Sequence, residues 1–217
     1  MKPNLFPLIL LLSLFLGFTV SCKNETKKPA MSSKPFFKLS LAQWSFHREF
    51  RENGVSPYEF AKMASNLGFE GLEYVSQLYT DVMESEDKAS AIKVFIDKNN
   101  SLALQHNLKN VLIMIDEEGD LSSSDEKERN EAIENHKAWI IAASKMGCSA
   151  VRLNLHGEKE ESAWIKNSVE SLNILSAFAE PLNINVIVEN HGGKSSNASL
   201  LMKVINQVSY SNCGTLP

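Results

Sequence analysis

The chain has 217 residues, which is enough for one domain with a substantial core, and 43% of them are hydrophobic and 22% charged, as in ordinary globular proteins. Its formal net charge is −4, and no stretch of the sequence is strongly basic. Because nucleic-acid phosphates are bound by basic surfaces, this balance argues against a nucleic-acid partner.

Residues 1–22 have the pattern of an export signal. Lys2 precedes an apolar stretch from Leu5 to Val20, which is followed by Ser21 and Cys22. The small residue before Cys22 resembles a bacterial lipobox, in which the cysteine is lipidated, although Thr19 departs from that pattern. Ordinary cleavage and an uncleaved anchor are the alternatives. We expect an exported lipoprotein, anchored to a membrane through Cys22 on the periplasmic or outer-membrane side.

Residues 23–36 are rich in Lys, Ser, Asn and Pro and carry little that could be buried. This composition predicts a flexible tether, so that the folded domain is expected over residues 37–217. Cys148 and Cys213 have no metal-site spacing, and we interpret them as small core residues rather than as a bridge or a metal pair.

Apolar runs alternate with amphipathic helical stretches after the tether. Strands are predicted at six places: Phe37–Gln43, Gly71–Val75, Val111–Ile115, Ala150–Leu155, Asn185–Val188 and a start at Cys213. Their separation of roughly 30 to 40 residues is that of a βα unit. Strands that are apolar nearly throughout indicate a parallel sheet covered by helices.

Local signals mark the helices between these strands. Ser56, before Pro57, predicts a helix start, and Gly68 predicts its end. A later helix is expected to begin among the serines at 122–124 and to end at Gly147. The next helix should stop at Pro181, and the last one carries the apolar residues between 200 and 208. The acidic run 116–120 is interpreted as a solvated loop, His136 as a packed or surface residue, and Trp139 and Trp164 as core or interface residues.

The predicted fold class is α/β, a partial (β/α)8 TIM barrel with about five to six βα units. A doubly wound sheet is the alternative, although no glycine-rich phosphate loop follows any strand. Because residues 37–217 supply fewer than the eight units of a closed barrel, we expect a truncated barrel.

Polar residues follow the predicted strands, where a TIM barrel carries its active site. The candidates are Gln43 and Trp44 after the first strand, Glu73 near the end of the second, Asp116 after the third, Asn154 and His156 at the fourth, and Glu189 and His191 at the fifth. Strand ends meet water in any barrel, so polarity alone is weak evidence. Glu189 differs because it directly follows an apolar run, where a carboxylate is costly unless it binds a cation or a hydrogen-bond donor.

Three segments, 41–45, 68–74 and 186–191, resemble the xylose isomerase-like TIM barrels, which include sugar phosphate isomerases/epimerases and AP endonuclease family 2 proteins. The resemblance implies a divalent metal (Mn, Mg, Co or Zn) held by two glutamates, an aspartate and a histidine at the later strands. Glu189 matches the first ligand and would also be one catalytic acid/base. The other ligands are expected at or beyond the end of this sequence, so the resemblance implies that this fragment is inactive.

The reaction implied by the resemblance is proton transfer next to a sugar carbonyl through an enediolate. Six residues are then expected to bind the sugar: Gln43, Trp44, Glu73, Asn154, His156 and His191. A non-catalytic carbohydrate-binding lipoprotein on the same barrel is the main alternative. Endonuclease activity on abasic DNA is a third reading, which the acidic balance and the export signal disfavour. Nothing in the sequence indicates an oligomeric state.

Overall fold

Six short strands lie side by side in a parallel sheet, in the order in which they occur along the chain. The structure is a computed structural model that describes residues 37–217, so the expected signal segment, the tether and Cys22 lie outside the described residues. The strands are β1 Ser40–Ala42, β2 Gly71–Val75, β3 Lys109–Met114, β4 Ala150–Leu153, β5 Asn185–Glu189 and β6 Cys213–Leu216. A doubly wound sheet would reverse its strand order at a switch point, and this sheet does not. The fold is therefore that of a partial TIM barrel, as predicted.

Helices follow the strands in alternation. They are α1 His47–Arg51, α2 Phe60–Asn66, α3 Thr80–Met83, α4 Lys88–Gln105, α5 Glu126–Met146, α6 Glu161–Ala179 and α7 Ala198–Ile205. Within residues 37–217, no helix is both long and apolar enough to span a membrane.

The helix boundaries follow local hydrogen bonding. The Asp125 side chain accepts from the backbone N–H groups of Lys127 and Glu128 and thereby caps α5, whose start was predicted a few residues earlier, among the serines. Gly147 ends this helix with a left-handed φ of 72°, as expected. The signal at Ser56 begins a 3-10 turn, Pro57–Glu59, which leads into α2.

Strand β2 shows how the alternation of side chains divides the two faces of the sheet. Tyr74 is buried towards the helices, where its ring lies 5.9 Å from that of Phe60 and 6.0 Å from that of Phe95. Because successive side chains of a strand point to opposite faces, Glu73 and Val75 face the barrel interior.

The first residue of β2, Gly71, lies where the neighbouring strands leave no room for a side chain. A Cβ atom at this position would lie 2.8 Å from Cγ2 of Val111 and 2.9 Å from Cβ of Ser40. Both distances are below any normal carbon–carbon contact, so only glycine allows the neighbouring strands to approach this closely. The register between β2 and β3 shifts at the next position, between Leu72 and Glu73.

The core lies between the sheet and the helices and contains the residues that the apolar pattern indicated. Trp139 and Trp164 are fully buried there. Cys148 is buried and free, and Cys213 is partly buried and free, which agrees with their interpretation as small packed residues.

Candidate active site

A pocket of about 770 Å³ opens at the carboxyl ends of the strands. The register of the sheet explains which side chains reach it. Met114 of β3 pairs with Arg152 of β4, which in turn pairs with Ile187 of β5, so these three share the inner face. The residues two positions further along each strand are on the same face, and they include Asp116, Asn154 and Glu189, which all line the pocket.

Arg152 lies at the centre of this polar group. Its Nη1 is 2.6 Å from Oδ1 of Asp116, and its Nε is 3.0 Å from Oε2 of Glu189. The exposed fractions of the three side chains are 6% for Arg152, 11% for Asp116 and 29% for Glu189. A single buried guanidinium thus lies between two carboxylates, and the trio carries a formal charge of −1.

Asp116 is fixed by further hydrogen bonds. Asn154 Nδ2 donates to the same Oδ1 at 2.7 Å. The Ser76 hydroxyl accepts from the Asp116 backbone N–H at 2.8 Å and donates to its carbonyl oxygen at 3.0 Å. These contacts hold the carboxylate in one position, and through Arg152 they orient Glu189.

Some buried polar atoms of the group have no hydrogen-bond partner among the described residues. Asn154 Oδ1 is one of them, because the Asn154 amide uses only its nitrogen. Arg152 Nε and Glu189 Oε2 lie within ion-pair distance, but the N–H does not point along a hydrogen bond. Buried acceptors are normally paired, so an unpaired one in a residue that lines the pocket is a candidate acceptor for a ligand donor.

Six of the residues predicted from the sequence line this pocket: Trp44, Asp116, Asn154, His156, Glu189 and His191. Trp44 stacks on His47 with ring centroids 4.6 Å apart, and the guanidinium of Arg51 lies 4.8 Å from its ring centroid. The rings of His156 and His191 meet edge to face at 5.8 Å.

Gln43 and Glu73 lie away from the pocket lining. Gln43 is fully buried; its Nε2 donates to the Pro57 carbonyl at 3.2 Å and to Tyr79 Oη at 3.1 Å, and its Oε1 accepts from the Val75 N–H at 3.0 Å. All of its hydrogen-bonding groups are therefore engaged within the protein. Glu73 is half-buried on the inner face and accepts a hydrogen bond from Ser40.

Sequence reasoning missed Arg152, which lies inside an otherwise apolar strand. The alternation of β4 was the available signal, since it places residues 152 and 154 on one face.

The interpretation of 116–120 as a solvated loop was wrong. Glu118 is buried, its Oε2 pairs with Lys88 Nζ at 2.6 Å, and its Oε1 accepts from the indole N–H of Trp139. The loop is thus anchored to α4 and α5. His136, next to this loop on α5, is packed as expected, and burial lowers its pKa to about 4.

A metal centre needs several convergent ligands. Over residues 37–217, no group of three or more His, Cys, Asp or Glu side chains is placed to hold a metal ion. Glu189 offers one carboxylate, and one side of it faces Arg152. These residues alone do not fit a divalent cation.

Solved structures share this fold. A D-psicose 3-epimerase with D-tagatose from Clostridium cellulolyticum H10 matches with a TM-score of 0.63 and 16% identity, an AP endonuclease family 2 protein from Brucella melitensis with 0.58 and 17%, and the IolI protein with a zinc atom with 0.60 and 18%. Each match covers 82% of this chain, and it covers 62%, 67% and 62% of the other chains, respectively. The chain thus spans less than two thirds of the epimerase. At these identities the likeness shows the fold alone.

No curated protein matches the chain in sequence. The family model described as "Xylose isomerase-like TIM barrel" matches residues 61–217, which is most of the chain and includes β2 to β6 with Arg152 and Glu189. The chain therefore belongs to the xylose isomerase-like TIM barrel family.

Proposed function

We propose that this protein is a sugar isomerase or epimerase whose pocket binds an open-chain sugar at the carboxyl ends of the strands. The observation that carries the proposal is the Glu189 carboxylate, which is oriented by Arg152 and lies in the same pocket as the unpaired Oδ1 of Asn154. A carboxylate held in a pocket is suited to remove a proton from the carbon next to a carbonyl.

Each polar group of the pocket then has a role. Glu189 removes the carbon-bound proton, the C–H electron pair becomes the C=C bond of an enediolate as the carbonyl π electrons move to oxygen, and Glu189 then returns the proton to carbon. Arg152 keeps the carboxylate in place through the 3.0 Å contact. Asn154 Oδ1 accepts a hydrogen bond from a sugar hydroxyl. Trp44, His156 and His191 contact other parts of the sugar, since they line the same pocket.

The divalent metal implied by the family (Mn, Mg, Co or Zn) would supply polarisation of the substrate oxygens. Glu189 is the residue of this chain that we propose as a ligand, and the described residues by themselves do not hold a cation. The proposed proton transfer therefore uses side chains of this protein only.

The structural neighbours support a sugar as the ligand. They include a D-psicose 3-epimerase, a D-tagatose 3-epimerase-like protein and a 3-keto-D-glucoside 4-epimerase. The first two reach TM-scores of 0.63 and 0.62 against this chain. Proteins with the same fold are thus named as sugar epimerases, and we propose the same substrate class for this chain.

Isothermal titration with a free ketohexose, such as D-fructose, tests the proposal. We expect binding to the wild-type chain and a loss of about tenfold or more in affinity for Glu189→Gln, because the neutral amide breaks the ion pair and loses a charged acceptor. Glu86→Gln is the matched control, since Glu86 is exposed and does not line the pocket. Equal affinity for the wild-type chain and Glu189→Gln contradicts the proposal.

A non-catalytic carbohydrate-binding protein remains the second candidate. It is favoured by the finding that, among the described residues, no three His, Cys, Asp or Glu side chains are placed to hold a metal ion together. Incubating the ketose with the protein in D2O distinguishes the two. Isomerisation or epimerisation through an enediolate incorporates deuterium next to the carbonyl, whereas binding alone does not.

We also propose that the protein is exported and anchored through lipid on Cys22. The support is the apolar segment and the small residue before this cysteine. Metabolic labelling with a radiolabelled fatty acid tests it. Label on the wild-type protein and none on Cys22→Ser is the expected result, and an unlabelled wild-type protein in the soluble fraction contradicts it.

A further inference from the structure

The pocket has a charge and a hydrogen-bonding polarity that bear on which sugars it accepts. Building on the proposed sugar-binding function, we infer that the pocket selects uncharged, hydroxyl-rich sugars and excludes their phosphate esters. Three features carry this selection: the acids in the lining, the pairing of the Arg152 guanidinium with two of them, and the surplus of hydrogen-bond acceptors.

Acidic side chains outnumber permanent cations in the lining. Four carboxylates line the pocket, those of Asp116, Glu117, Asp120 and Glu189, and among the described residues that line it Arg152 is the one Lys or Arg. That guanidinium is already shared between Asp116 at 2.6 Å and Glu189 at 3.0 Å. A phosphate entering the pocket would meet more carboxylates than cations in the lining, and the lining guanidinium is already paired.

Hydrogen-bonding polarity points the same way. Asn154 spends its amide N–H on Asp116 and leaves its carbonyl oxygen as an unpaired acceptor. The carboxylates add further acceptors, so the pocket lining is complementary to a ligand that donates hydrogen bonds. Sugar hydroxyls donate hydrogen bonds, whereas a phosphate dianion only accepts them.

The turn after β5 contains a lysine that is also engaged. Lys194 follows β5, and its ammonium donates to the carbonyl oxygens of Glu158 at 2.8 Å and Lys159 at 2.7 Å. The backbone N–H of Gly192, in the neighbouring turn, is bonded to the Ser196 hydroxyl at 2.8 Å. In this turn, therefore, both the lysine ammonium and the glycine N–H that could bind a phosphate are already hydrogen-bonded within the protein.

The two histidines of the lining do not change this balance. The ring centroids of His156 and His191 are 5.8 Å apart, and neither imidazole has the forked geometry by which a guanidinium binds phosphate. Their donors suit the ring or carbonyl oxygens of a neutral sugar.

Titration of the chain with D-fructose and D-fructose 6-phosphate at low ionic strength tests the inference. We expect the affinity for the free sugar to be at least about tenfold higher than the affinity for its ester. Repulsion between the phosphate and the carboxylates is least screened at low ionic strength. Equal or tighter binding of the ester overturns the inference and leaves the proposed sugar site standing. Absence of binding by both overturns the proposed function as well.

A charge-removing variant at the rim gives a second measurement. Glu117 is exposed and lines the pocket, so Glu117→Gln removes one negative charge without disturbing the core. We expect the ratio of the two affinities to shift towards the ester by on the order of threefold. Glu86→Gln, away from the pocket, should leave the ratio unchanged. A ratio that is the same in Glu117→Gln and Glu86→Gln counts against the inference.

Discussion

Replacing Arg152 with methionine tests whether the buried ion-pair group holds the site together. The change leaves Asp116, whose side chain is 11% exposed, without the cation that lies 2.6 Å away, and leaves Glu189 without the one at 3.0 Å. Removing one partner of a buried ion pair costs about 3–5 kcal/mol, because the remaining charge is not compensated. Glu189 is 29% exposed, so water replaces part of its lost contact. We therefore expect a loss near the lower end, about 3 kcal/mol.

Urea unfolding followed by far-UV circular dichroism measures this loss. Arg48→Met is the matched control, because Arg48 is exposed on α1 and should change the free energy of unfolding by no more than about 0.5 kcal/mol. Adding Asp116→Asn to Arg152→Met should cost less than the sum of the single changes, since the two side chains contact each other. A stability of Arg152→Met within about 1 kcal/mol of the wild type would refute the reasoning.

Three further predictions concern the framework around the site. His136 should make the protein less stable as the pH falls from about 6.5 towards 4, because the unfolded imidazole binds a proton in that range and the buried one does not; the total effect is about 3 kcal/mol, and His136→Asn should abolish it. Glu118→Gln should lower the free energy of unfolding by about 2 kcal/mol, because the buried partner of Lys88 is neutralised, whereas Glu117→Gln on the exposed rim should be nearly neutral. Asp125→Ala should cost about 1 kcal/mol, because two backbone N–H groups of α5 lose their acceptor.

Each of these predictions has a result that contradicts it. A flat dependence of wild-type stability on pH between 4 and 7 would show that burial does not lower the pKa of His136 in the folded protein. Similar stabilities of Glu118→Gln and Glu117→Gln would show that the contact with Lys88 is not buried in solution. An unchanged urea midpoint for Asp125→Ala would show that another group caps α5.

The sequence predicts most of the fold because the spacing of the apolar runs and the residues that begin and end helices are local features of the chain. The spacing of the apolar runs places the strands, and Gly71 to Val75 matches β2 residue for residue. The first strand is shorter than predicted, since Gln43 begins a 3-10 turn instead of extending β1. Strand ends depend on tertiary hydrogen bonds, such as the one that Gln43 accepts from Val75, and a local pattern does not contain them.

The candidate site was only partly predictable for the same reason. Glu189 stands out in the sequence because it ends an apolar run. Arg152 does not, because a buried arginine becomes understandable only when Asp116 and Glu189, 36 and 37 residues away along the chain, are brought beside it. Glu118 likewise looks solvated until Lys88 and Trp139 are seen to enclose it.

A crystal structure of the chain grown with a free ketohexose tests most directly whether the strand-end pocket is a sugar site. We predict sugar density within hydrogen-bond distance of Asn154 Oδ1 and Glu189, with Arg152 still between Asp116 and Glu189. Sugar density elsewhere on the molecule, with the strand-end pocket filled only by solvent, would contradict the account.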